Sequence, residues 1–125
     1  MKFMYPAIFT LEEGAYWVAF PDIEGCFSDG DTPEEAMSSA QEALSLHLTP
    51  EENEEPTIPK PSNINDIKQP EHGFVSYVTV DIDLTKSSKY IRKNLTIPEW
   101  LNDRAVQKGV NFSQTLQEAL IKQLY

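Results

Sequence analysis

Arg92, Asn94 and Thr96 alternate with Lys93, Leu95 and Ile97 in the run RKNLTI. In a strand, successive side chains point to opposite faces, so one face would carry a guanidinium, a carboxamide and a hydroxyl. These groups read base edges: arginine pairs bidentately with guanine and asparagine with adenine. A lone strand leaves its backbone donors and acceptors unpaired, and nothing later in the chain offers a second one. The same strand of another copy is therefore the economical partner. The expected product is a two-stranded antiparallel ribbon, a shape that fits the major groove. Downstream, Asn111, Phe112 and Ser113 open a helix whose first backbone N–H groups would face a phosphate.

The elements that must hold these groups are short. A strand is expected over Tyr90–Ile97, then helices at roughly Pro98–Lys108 and Phe112–Leu124, with Gly109 stopping the first. Asn111 or Ser113 can cap the second, whose Leu116, Ala119, Leu120 and Leu124 share a face. A plainer reading is an amphipathic helix pair that only oligomerises. Charge argues against it. The chain carries −10 overall, but residues 1–85 hold 17 acids against three lysines, whereas residues 86–125 hold seven basic residues against three acids. A basic piece beside an acidic body can bind phosphate locally while the body attracts a basic partner.

The acids of the body concentrate at Asp22, Glu24, Asp29, Asp31, Glu34 and Glu35, around an expected third strand and the start of a helix. As a patch they would attract a basic surface. Singly, most read as turn and cap residues, with Asp31 and Glu34 favouring the positive end of the helix. Strands are expected at Lys2–Leu11 and Ala15–Phe20, joined by the turn residues Glu12–Gly14. Tyr16, Val18 and Phe20 alternate with Trp17 and Ala19, so this strand is expected to be covered on both sides. Thr32, Pro33, Glu34 and Glu35 form a capping box, and Ala36, Ala40, Ala43, Leu44, His47 and Leu48 recur at helical spacing until Thr49-Pro50. Residues 49–73, with five prolines, read as a linker or an irregular wrap. Phe74–Leu84 alternates as one long strand that completes the sheet. The sum is α+β, a β-β-β-α-β domain over 1–85 and a β-α-α module over 86–125.

The run RKNLTIPEWLNDRAVQKGVNFSQTLQEAL resembles the ribbon-helix-helix module of HicB antitoxins. By that resemblance Arg92, Asn94 and Thr96 fall on the base-reading positions. Asn111, Phe112 and Ser113 fall on the phosphate-anchoring turn, and Leu95, Ile97, Leu101, Ala105, Leu116 and Leu120 on the core. YPAIF, followed by YWVAFPDIEGCFSDGDTPEEAMSSAQEAL with IPKPS downstream, is similar to the HicB-like partial RNase H fold. The resemblance implies a domain that binds a HicA-type toxin, a small basic ribonuclease, and masks its RNA-cleaving surface. It also implies an antitoxin that represses its own operon on operator DNA as a homodimer, a tetramer being compatible.

Other functions find less support. A two-metal nuclease needs converging carboxylates, yet the first strand has none before Glu12, and Asp81 and Asp83 share a face with Tyr77. No nucleophile has an evident base and no glycine loop cradles phosphate, so neither catalytic residues, metal nor cofactor is expected. His47 reads as a packed residue of the apolar stripe. The alternative is a stand-alone regulator with Trp17, Phe20 and Phe27 lining a ligand pocket. Cys26, the single cysteine, can form no internal disulfide, and neither a signal peptide nor a membrane span is evident. A cytoplasmic protein is expected.

Overall fold

The alternation at the start of the chain becomes a β-hairpin. β1 (Lys2–Glu12) and β2 (Ala15–Ala19) run antiparallel, with Phe9 opposite Val18 and Glu12 opposite Ala15. Only Glu13 and Gly14 join them, at φ 52° and 78°. Two consecutive positive φ values match the two-residue turn whose twist suits the flanking strands, and glycine adopts the second without strain. β3 (Phe27–Gly30) pairs with β2, and β4 (Gly73–Asp81) with β1, all antiparallel, in the order β3-β2-β1-β4. This computed structural model describes residues 1–86 and 88–125, in two compact units, Met1–Ser88 and Lys89–Tyr125.

α1 (Pro33–Leu48) covers one face of the sheet. Thr32 caps it by accepting from the Glu35 N–H at 3.1 Å, while Glu35 reaches back to the Asp31 N–H at 3.1 Å, one residue before the usual partner. Ala36, Ala40, Leu44 and Leu48 are buried at i, i+4 spacing. The helix starts so close to β3 that a Cβ on Gly30 would lie 2.3 Å from the Ala36 nitrogen. Further along, Gln41 donates to the Thr79 carbonyl of β4 at 3.1 Å, so α1 crosses the sheet from one edge to the other. Beneath it Phe3, Tyr5, Ala7 and Phe9 alternate inward with Val18 and Val78. Phe9 stacks on its register partner Phe74 at 4.7 Å.

Within residues 49–72, the stretch from Pro59 onward is tied to this sheet by specific bonds, a wrap rather than a free linker. The Tyr5 hydroxyl donates to the Pro59 carbonyl, and Ser62 donates to Asp22. At a 3₁₀ turn (Ile64–Asp66) the wrap reaches the face opposite α1, where the Ile64 N–H donates to the Tyr77 hydroxyl at 3.3 Å. Pro6, on that second face, is fully buried. Cover there is partial, which corrects the expectation for β2: Val18 is 2% exposed beneath α1, but Trp17 is 50% exposed.

Two further expectations change. His47 is exposed, with Nδ1 2.9 Å from the Ala43 carbonyl oxygen, because the buried stripe runs through Leu44 and Leu48 instead. β4 ends at Asp81, although Ile82 and Leu84 beyond it remain buried.

In the second unit α2 (Glu99–Gln107) and α3 (Phe112–Leu124) form as the sequence predicts, with Pro98 capping rather than opening α2. Gly109, at φ 69°, ends α2: its N–H bonds to the Val106 carbonyl and that of Val110 to Ala105. This is the paired bonding of a left-handed helix stop. The strand expected over Tyr90–Ile97 is not formed in the single chain, where residues 89–98 have no regular secondary structure. A strand is defined by its ladder, and among the described residues no ladder is formed over this segment.

Candidate functional site

The acids of the first unit do not stand equal. Glu24, Asp29, Asp31, Glu34 and Glu35 are exposed, around β3 and the first turn of α1. Asp22 is half-buried, and its carboxylate accepts from the Ser62 N–H at 2.9 Å and from the Ser62 hydroxyl. Glu35 serves the Asp31 N–H. Two of the six residues therefore hold local structure, and four point to solvent without such a task in the bonds described. No Lys or Arg occurs between residues 8 and 48, and the base nearest in the fold path is Lys60, in the wrap between Pro59 and Ser62.

In the second unit Arg92, Asn94 and Thr96 are all exposed, as are Lys93, Leu95 and Ile97. Asn111 is the cap of α3: its side chain accepts from the Gln114 N–H at 3.0 Å and its carbonyl from the Thr115 N–H at 3.0 Å. Phe112 and Ser113 occupy the first turn, where N–H groups have no acceptor within the helix. Ser113 is the second residue of α3, so the capping alternative settles on Asn111.

The apolar side of this unit carries more information. Neither α2 nor α3 has a buried residue, and Ala105, Leu116 and Ile121 are only half-buried. Of the 18 large hydrophobic side chains exposed among the described residues, 12 lie between Tyr90 and Tyr125. Leu95, Ile97, Leu101 and Leu120, expected in a core, are among them. Amphipathic elements that leave their apolar face in water mark an interface.

Titratable chemistry is sparse. Burial, with the charge of Asp22 in second place, raises the Tyr5 hydroxyl above its ordinary pKa. Burial also raises the Cys26 thiol, which keeps it protonated and unreactive. Among the described residues no group of three or more His, Cys, Asp and Glu is placed to hold a metal ion. Trp17, Phe20 and Phe27 do not line a common pocket: Phe20 is buried in the core, while Trp17 and Phe27 face solvent. Among the described residues no helix is long and apolar enough to cross a membrane.

Sequence reasoning missed Ser62 and the Tyr5 hydroxyl, and it offered Trp17 and Phe27 as pocket-lining residues whereas both are exposed. Ser62 and Asp22 are joined only by the tertiary path of the wrap, which has no periodic signal. For the aromatics a partial signal existed: Asp29 belongs on a wet face, and the β2–β3 register places Trp17 opposite it.

Comparison with known proteins agrees with this architecture. The profile of the family described as HicB-like antitoxin of bacterial toxin-antitoxin systems matches residues 5–123. An uncharacterized 14.9 kDa protein from the rep-hol intergenic region of Haemophilus phage HP1 is 38% identical over 106 residues, covering 83% of this chain and 80% of that protein. Antitoxin HicB 1 of Photorhabdus laumondii is 34% identical over 106 residues, covering 78% of this chain and 60% of that antitoxin. Among solved structures, a chain of the toxin-antitoxin complex from Streptococcus pneumoniae superposes with a TM-score of 0.55 at 27% identity, over 98% of this chain and 99% of that one. The chain thus belongs to the HicB-like antitoxin family of bacterial toxin-antitoxin systems.

Proposed function

We propose that this chain neutralises a HicA-type ribonuclease toxin through its first unit and represses its own operon through its second. The first unit would be a partial RNase H-like domain whose acids attract the toxin's basic surface. The second would be a ribbon-helix-helix module, dimerised through Tyr90–Ile97, with Arg92, Asn94 and Thr96 toward bases and Asn111, Phe112 and Ser113 toward a phosphate. The chain acts by binding, in the cytoplasm, without a catalytic residue or cofactor of its own.

The observation that carries this reading is the coreless second unit. Its helices are capped and stopped by sequence, yet leave no residue fully buried, and the segment before them alternates Arg92, Asn94 and Thr96 with Lys93, Leu95 and Ile97, all exposed. A second copy would supply both the missing strand and the missing core, and closed two-fold pairing is the commonest solution. The toxin partner is supported by family membership and by the acidic first unit.

Co-purification with the product of the adjacent gene, followed by an RNA-cleavage assay with and without this chain, tests the first role. Stable complex and suppressed cleavage are expected; absence of binding, or unabated cleavage, overturns it. A gel shift on the DNA upstream of the gene tests the second role.

A further inference from the structure

The uncovered face of β2 and β3 holds two large aromatic side chains in water, Trp17 at 50% and Phe27 at 70% exposure. Strand register places Trp17 opposite Asp29 and Ala19 opposite Phe27, so the aromatics are diagonal neighbours on one face. Ile8, opposite Ala19 in β1, extends the apolar ground across a third strand. Further along the same face the wrap does its covering, for Pro6 is fully buried. Trp17 and Phe27 thus lie beyond what the fold needs to cover.

The rim is acidic. Asp29 stands beside Trp17, and Glu12, paired with Ala15, lies on the same face near the hairpin turn. Both are exposed, and no positive side chain occurs from residue 8 to residue 48. An aromatic centre with a charged rim is how interface energy is usually distributed, with a few large anchors inside and steering charges outside. Pairing of this patch with the same patch of a second copy would set acids against acids, with no Lys or Arg from residues 8–48 to meet them, so two-fold self-association here is opposed by charge. A basic protein surface meets no such penalty, and its guanidinium groups can also stack on the aromatic faces.

We propose that Trp17 and Phe27 are the anchor on which the basic toxin docks, with Asp29 and Glu12 meeting its cationic side chains. This rests on the toxin-binding reading above, and it moves the centre of that interface from the acids at the start of α1 to the outer face of β2 and β3.

The test uses the full chain and the purified toxin of the adjacent gene, titrated calorimetrically against wild type, Trp17→Ala, Phe27→Ala and Phe27→Lys, with thermal unfolding of each variant alongside. Each alanine should weaken toxin binding roughly tenfold or more. Phe27→Lys should weaken it further than Phe27→Ala, while unfolding temperature and gel shift stay near wild type. Tight wild-type binding with unchanged variants overturns the anchor and leaves the toxin reading standing. No wild-type binding overturns both. Variants that change the chain's own oligomeric state at unchanged toxin affinity assign the patch to a second copy and overturn the proposal. Should Trp17→Ala fail to fold, the Phe27 pair decides alone.

Discussion

Ser62 donates two hydrogen bonds to the Asp22 carboxylate, the backbone one at 2.9 Å, across 40 residues of chain. The pair pins the wrap to the loop that follows β2, next to the point where Tyr5 bonds Pro59. Asp22→Ala should cost about 1 to 2 kcal/mol, the scale of a hydrogen bond to a charged group in a partly solvated place. A lower denaturation midpoint and faster proteolysis within residues 49–72 would register the loss, and Asp22→Asn, which keeps an acceptor, should recover part of it. Glu24→Gln should leave stability unchanged. An Asp22→Ala variant as stable as wild type would show that the wrap is held elsewhere.

Most of the fold was legible because it rests on local rules. The two-residue turn at Glu13-Gly14, the Thr32 cap and the Gly109 stop each announce themselves through residues adjacent in sequence. What escaped depends on distance in sequence or on a second chain. His47 continues the apolar spacing of α1, but a helix buries a stripe of limited width, and Ala36, Ala40, Leu44 and Leu48 fill it. Trp17 was expected to be covered because bulk on both faces of a strand usually means two covers; the wrap instead spends its contacts on β1 and β4. Of the candidate site, Arg92, Asn94 and Thr96 were legible as alternating polar residues and are exposed, while the strand expected there is not formed in the single chain.

Base reading by the ribbon makes a separable prediction. Arg92→Ala and Asn94→Ala should each weaken operator binding by about 1 to 3 kcal/mol, the scale of one bidentate base contact. Toxin affinity should survive both. Gel-shift titration at fixed salt reads the effect, and unchanged affinity for the operator would leave the module as a dimeriser only.

Leu120 tests the missing core. It is 52% exposed in the single chain although it lies on the apolar face of α3 with Leu116. Within a dimer core, Leu120→Asp would bury an unpaired charge at a cost of several kcal/mol. Sedimentation should then report a monomer, and operator binding should be lost while toxin binding through the first unit remains. Folding linked to association also makes helicity in residues 99–124 fall on dilution of the wild-type chain. A Leu120→Asp variant that stays dimeric would place the dimer contact outside α3.

Asp83 gives a prediction in pH. Its carboxylate accepts from the Thr85 hydroxyl at 2.7 Å and from the Thr85 N–H at 2.9 Å. The hydroxyl bond first and the backbone bond second hold its pKa below the ordinary aspartate value, against a small opposing effect of burial. A carboxyl with a depressed folded pKa adds stability that is present above its unfolded value, about 3.9, and is lost as pH falls through the lower folded value. Stability from this turn should therefore be intact near neutrality and vanish only at the acid end. Thr85→Val removes the hydroxyl bond while keeping the N–H, so the Asp83 titration followed by NMR should move part of the way back up. An Asp83 midpoint unmoved by Thr85→Val would show that the hydroxyl does not set it, and the backbone N–H would then be the dominant cause.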